Sequence, residues 1–235
     1  KKMNETHKKI VRNLEIQDRV FKTTEREAFI SLKDHKDNFK NNPSCRLINP
    51  CKPEVGKVSK QILERIISGV RANTGFNQWQ NSDSVIKWFK NIKNKSNFSF
   101  IIFDIINMYP TITKELLKKA LDWASTIVDI SDEEKAIILD AKKSILFKDG
   151  QPWVKKSNPD FDVGMGSFDG AECCDIIGLF MLAELTKLRL NLNFGLYRDD
   201  CLGVSSSTPR QVENIKKKIC EVFRKHELNV TIEAN

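Results

Sequence analysis

"FGLYRDDCLGV", residues 194–204, sets two adjacent carboxylates, Asp199 and Asp200, between two short apolar stretches. The flanks "FGLY" and "CLGVS" predict the strands of a hairpin, with the turn at Arg198-Asp199-Asp200. Aspartate is common in turns, so a solvent-exposed turn accounts for either residue taken alone. A second stretch changes the reading. "FSFIIFDI" (98–105) is nearly continuous apolar, as expected of a central strand covered on both faces, and Asp104 stands near its end. A lone charge in a buried strand is costly. If this strand lies beside the hairpin, Asp104 and Asp199 converge on one edge of the sheet. Convergent carboxylates raise each other's pKa unless cations neutralise them. Magnesium is held by one or two carboxylates plus substrate phosphates. Two such ions, roughly 3.5–4 Å apart, activate an attacking hydroxyl and stabilise a leaving pyrophosphate. The pattern points to a phosphoryl-transfer centre.

Outward from these stretches, periodicity and turn chemistry place the remaining elements. Residues 5–22 read as a basic amphipathic helix, "AFISLK" (28–33) and "RLINP" (46–50) as strands, and 57–72 and 84–92 as helices separated by a loop. Thr113 can cap the helix "KELLKKALDWAS", and Ser131 with Glu134 forms a capping box for a helix over 132–143. Asp149-Gly150 suits the tight turn of a hairpin over 144–156. A mostly apolar helix spans 170–188. "TPRQ" (208–211) opens another, and "LNVTIE" (228–233) closes as a strand. The fold class is α+β, a split βαβ-like layout with an antiparallel sheet backed by helices. Residues 1–97 read as a smaller, more basic lobe and 98–235 as the sheet-bearing one.

Composition narrows the setting. The 235 residues carry a formal net charge of +8, which favours a polyanionic partner. Six cysteines without a CxxC pair and three scattered histidines argue against structural zinc and against a disulfide scaffold. The chain lacks an apolar run of about 20 residues, so no membrane span is expected, and "KKMNETHKK" has no signal-peptide core. The expected setting is intracellular and reducing, in nucleus or cytoplasm. Two lysines precede Met3, so the chain is expected to start inside a longer protein.

"FDIINMY" followed by "YRDD" resembles the two metal-binding motifs of the reverse transcriptase palm, in form and order. "GMGSFDGAE" (164–172) stands where that family has its glycine motif, and "LKDHKDNFKNNPSCRLINP" with "GKVSKQIL" is similar to its fingers. The wording, including Lys-x-His-Lys, Arg-Leu-Ile and Met-Gly-Ser, is that of Penelope-like retroelements, relatives of telomerase. The resemblance runs from about residue 28 to 235. It implies a right-hand polymerase palm with a smaller fingers subdomain, 1–97 being fingers and 98–235 palm, with the thumb absent or outside this chain.

By position in the motifs, the resemblance makes Asp104 and Asp199 the chief metal ligands, with the Ile105 carbonyl assisting and Asp200 supporting. The metal would be two Mg2+ ions, with Mn2+ as a substitute. Tyr109 would be the aromatic gate beneath the sugar that excludes a 2′-hydroxyl. Lys33 and Arg46 would grip the triphosphate, a task that suits ammonium and guanidinium groups; Lys36 is an alternative to Lys33. Gly166 would let the backbone approach the nucleotide closely. The implied partners are an RNA template, a DNA or RNA primer, deoxynucleoside triphosphates and further domains of the same polyprotein.

Lys57, Lys60, Arg65 and Arg71 on the 57–72 helix are candidates to track template phosphates, and Phe76 and Trp79 to stack on bases or to anchor the core. Three departures stand out: Met165 where many relatives have Gln, Trp153-Val154-Lys155 where Penelope-like hairpins carry Tyr-x-Gln, and Asp169, a negative charge in a segment expected to face nucleic acid. Two other readings stay open: a catalytically silent scaffold of the same fold that binds nucleic acid, and an RNA-synthesising relative.

Overall fold

"FISL" and "CRLI" form β1 (Phe29–Leu32) and β2 (Cys45–Ile48), paired antiparallel with Ser31 opposite Arg46. Helix α1 (Glu54–Thr74) follows, with Glu54 in its first turn and Arg71 in its last, each favourable to the helix dipole. Its Leu63, Ile66, Ile67 and Val70 are buried at helical spacing. Asn81 caps α2 (Ser82–Asn91) by accepting from the Ser84 N–H at 2.9 Å. Next come β3 (Ser99–Ile105), the single turn α3 (Met108–Thr111), α4 (Lys114–Ala124) and α5 (Asp132–Asp140). Thr113 caps α4, accepting from the Leu116 N–H at 3.1 Å, and Ser131 with Glu134 closes both arms of the box on α5. The hairpin of β4 (Leu146–Lys148) and β5 (Gln151–Trp153) turns at Asp149, whose φ is 52°. Then α6 (Gly170–Lys187), β6 (Asn193–Tyr197), β7 (Asp200–Ser205), α7 (Pro209–Lys225) and β8 (Val230–Ala234) complete the chain, with Thr208 and Gln211 boxing the start of α7.

This computed structural model describes residues 8–9, 12–13, 15, 17, 27–34, 39–50, 54–143, 145–149, 151–153 and 161–235. Most of the expected 5–22 helix, together with Lys36 and Val154-Lys155, lies outside them. Among the described residues no helix is long and apolar enough to cross a membrane. No disulfide joins the cysteines at 45, 173, 174, 201 and 220.

The chain forms two compact units, residues 1–63 with 131–170 and residues 64–130 with 171–235. The second unit is built on an antiparallel sheet of order β6-β7-β3-β8. Residues 64–97 belong to it as well, because the loop after α1 extends the sheet: Leu196 N–H donates to the Asn77 carbonyl at 2.9 Å and Trp79 N–H to the Leu196 carbonyl at 2.8 Å.

The expectation that β3 is covered on both faces is corrected. Ile101, Phe103 and Ile105 are buried, Phe103 lying edge-on to Phe223 of α7 with centroids 5.4 Å apart. Ile102, on the opposite face, is 51% exposed. The apolar run reflects one helix-covered face and a second, half-open face that carries Asp104. Helix α6 is buried nearly all round, which its almost uninterrupted apolar sequence requires.

Candidate active site

Asp104 is the register partner of Asp200 across β3 and β7. Directly opposed residues of antiparallel strands point to one face, so both carboxylates stand on the half-open face with Ile102. One position further, the Ile105 N–H donates to the Asp199 carbonyl at 2.9 Å and ties the hairpin tip to the end of β3. Asp104, distant in sequence, thus lies beside the adjacent residues Asp199 and Asp200 at one end of the sheet. Arg198 makes the tight turn possible by adopting a φ of 54°, and its guanidinium carbon lies 5.5 Å from the Tyr197 ring centroid. Burial first, and then the Asp199 charge, pushes the Asp200 carboxyl above its ordinary pKa.

Tyr109 enters the same unit from α3. Its hydroxyl hydrogen-bonds the Cys174 side chain on α6; burial first, then Cys174 and Asp199, raises the phenol pKa. The phenol therefore stays neutral, an aromatic ring beside the acidic tip. Cys174 gave no signal in the sequence, being one of two adjacent cysteines on an apolar helix.

A polar network lines a cleft of about 230 Å³ in the same unit, bordered by Arg71, Trp79, Glu172, Asp175, Tyr197 and Arg198. Arg71 donates to Gln78 Oε1 at 2.8 Å and pairs with Asp175 at 3.5 Å, while Gln78 Nε2 donates to the Asp175 carbonyl at 2.5 Å. Burial lowers the Arg71 pKa and raises that of Asp175, and each charge opposes the shift of the other. Two more of the α1 cations are engaged within the protein. Lys57 pairs with Glu54 at 3.1 Å and Arg65 donates to the Asp129 carbonyl at 3.1 Å. Trp79 is 6% exposed and meets Trp88 edge-on, so it anchors the core.

The remaining candidates belong to the first unit. Arg46 is exposed on β2, and Lys33 directly follows β1, its N–H donating to the Ser44 carbonyl at 2.9 Å. Gly166 has a φ of 104°, and a Cβ there would stand 2.9 Å from the Asn49 carbonyl oxygen. Both facts demand glycine, through a close backbone approach within the protein itself. Asp169 corrects a second expectation. It does not face outward toward nucleic acid: it is 1% exposed, ion-paired to Lys142 and hydrogen-bonded by Ser59.

Among the described residues no three or more His, Cys, Asp and Glu side chains are gathered as a metal cage. Hard, hydrated magnesium does not need one, since substrate phosphates and water complete its shell. The opposed carboxylates of Asp104 and Asp200, on a half-open sheet face, are a donor set that fits such an ion.

No protein-family model matches the sequence, and no curated protein does either. Solved structures do. Apo telomerase from Candida tropicalis, truncated from the C-terminal domain, matches with a TM-score of 0.61 at 16% identity, over 92% of this chain and 52% of that one. Apo telomerase from the same organism matches at 0.63 and 13%, over 97% and 49%. The RNA-dependent RNA polymerase of a human picobirnavirus matches at 0.60 and 10%, over 89% and 42%. The chain spans about half the length of the telomerases and less of the viral enzyme. Its mixed architecture, with an antiparallel sheet backed by helices, is the palm-like fold of reverse-transcriptase-like and viral RNA polymerases.

Proposed function

We propose that this chain is the fingers and palm core of an RNA-directed DNA polymerase from a Penelope-like retroelement, adding deoxynucleotides to a primer 3′-hydroxyl. The observation that carries this reading is the strand register: Asp104 faces Asp200 while the Asp199 carbonyl receives the Ile105 N–H. In a polymerase palm-like fold, that arrangement gathers negative charge where a metal-assisted phosphoryl transfer needs it.

Asp104 and Asp199 are the ligands for two magnesium or manganese ions, with the Ile105 carbonyl assisting and Asp200 supporting. When bound, the ions supply Lewis-acid stabilisation of the attacking and leaving oxygens. Tyr109 lies under the sugar and selects the deoxy form; its neutral phenol, hydrogen-bonded to Cys174, supports a role in shape rather than in proton transfer. Lys33 and Arg46 balance triphosphate charge, which spreads over the equatorial oxygens during transfer. The partners are an RNA template, a DNA or RNA primer and deoxynucleoside triphosphates, and the chain acts with further domains of its polyprotein.

The test is primer extension by the full-length protein on an RNA template. Asp104→Asn and Asp199→Asn should each abolish addition, and full activity in both would remove the assignment of ligands. The viral RNA polymerase, matching about as well as the telomerases, keeps a second reading in view. Preferential incorporation of ribonucleotides would establish it. Tight binding of primer–template with no addition would instead favour the silent scaffold.

A further inference from the structure

Lys142 and Asp169 form an ion pair in which each side chain is 1% exposed. The carboxylate is divided between two elements: Oδ1 faces Lys142 Nζ, and Oδ2 accepts from the fully buried Ser59 hydroxyl at 2.5 Å. Ser59 comes from α1, Lys142 from just past α5, and Asp169 from the loop that carries Gly166. All three belong to the first unit.

The same loop is tied down elsewhere by further hydrogen bonds. Asp162 N–H donates to the Lys142 carbonyl at 2.9 Å, and Asn49 N–H donates to the Met165 carbonyl at 3.1 Å. The Ser167 hydroxyl donates to the Gly164 carbonyl at 2.9 Å. Phe168 sits against Gly56, with the Lys57 ammonium 5.3 Å from its ring centroid.

Burying two charges rarely improves stability over an apolar pair of the same volume, because desolvation offsets their attraction. What the charged arrangement adds is direction. With both oxygens of Asp169 engaged, the loop has one register against α1 and the end of α5, whereas apolar contacts tolerate sliding. Gly166 needs that register, since its backbone is seated at close range on the Asn49 carbonyl.

We propose that Lys142 is a positioning residue for nucleotide addition. Acting through Asp169 and Ser59, it fixes the Gly164–Asp169 loop, and Gly166 with it, in the single conformation that receives the incoming deoxynucleoside triphosphate. The proposal rests on the polymerase reading above, and adds a residue that none of the polymerase motifs contains.

The test uses the full-length protein with Lys142→Met, Asp169→Asn and the double variant Lys142→Met/Asp169→Leu, which replaces the pair by apolar groups. Steady-state primer extension and amide hydrogen exchange over residues 162–169 are measured together, with thermal unfolding as a check on folding. Breaking the buried Lys142–Asp169 ion pair predicts a rise of about tenfold or more in nucleotide KM for Lys142→Met, with kcat and primer–template affinity little changed. Exchange over the loop should accelerate by a similar factor. The double variant should regain the wild-type melting temperature yet keep the raised KM and the fast exchange. A double variant with normal melting, normal KM and normal protection would overturn the proposal, since the pair would then serve the fold alone. Should a single variant fail to fold, the double variant decides. Should the wild-type protein add no nucleotide, the polymerase reading fails, and amide exchange still decides whether Lys142 fixes the loop.

Discussion

Neutralising Asp200 should stabilise the protein at neutral pH and blunt its response to magnesium. Asp200 faces Asp104 across β3 and β7 and follows Asp199 in the chain. Like charges directly opposed in a sheet are destabilising on a scale of about 0.2–1 kcal/mol, and solvent at this exposed residue screens much beyond that. Burial and Asp199 raise its folded pKa above the ordinary 3.8, so the folded state holds the proton more tightly than the unfolded chain. The stabilisation this gives is fully present below pH 3.8 and is lost as pH rises through the raised folded value. Asp200→Asn escapes that loss. It should be more stable than wild type at pH 7 by roughly 0.5–1 kcal/mol, a rise in Tm of about 1–4 °C for a chain of this size. The difference should vanish near pH 3. Adding magnesium at a hundred times its Kd should raise wild-type stability by about 2.7 kcal/mol, and the variant should gain distinctly less. Circular-dichroism melts at pH 3, 5 and 7, first in chelator and then in magnesium, measure all of this. A variant no more stable than wild type at pH 7 in chelator would refute the electrostatic reasoning, and an undiminished magnesium increment would refute the metal reading of Asp200.

Other perturbations follow from the same geometry. Gly166→Ala forces a side chain into a positive φ and against the Asn49 carbonyl, so it should cost about 1 kcal/mol or more in chemical denaturation. Arg71→Leu strands the partly buried Asp175 carboxylate and should cost about 1.5–3 kcal/mol, most of it recovered in Arg71→Leu/Asp175→Leu; an additive double variant would contradict the pairing. Tyr109→Ala should admit ribonucleotides in a competition assay, and unchanged sugar discrimination would remove the gate. His226 is buried against Glu184 and Phe180, and burial, aided by Lys119 and Lys225, lowers its pKa against the pull of Glu184. Its stabilising contribution is therefore present above pH 6.5 and lost as pH falls below it. Relative to wild type, His226→Gln should flatten the stability profile between about pH 5 and 7.

What the sequence revealed was what local chemistry controls. The caps at Thr113 and Ser131 lie within three residues of their partners, and each forms as read. The Asp149 turn and the Tyr197–Asp200 hairpin are equally local. Strand order was legible only through a motif, because nothing within "FSFIIFDI" says that β7 and β8 flank it. The half-open face was misread for a related reason: apolar residues on both faces of a strand look the same whether a helix covers one face or two. Lys142 was invisible, because a lysine beside an apolar run ordinarily extends its ammonium to solvent, and its partners arrive from distant segments. Asp169 looked like a flaw in the glycine motif until that lysine accounted for its charge.

The most direct measurement is anomalous diffraction from crystals of the protein with primer–template, a deoxynucleoside triphosphate and Mn2+. The account predicts two manganese peaks roughly 3.5–4 Å apart, both within coordinating distance of Asp104 and Asp199. Manganese absent from these carboxylates, in crystals where nucleotide is bound, would contradict it.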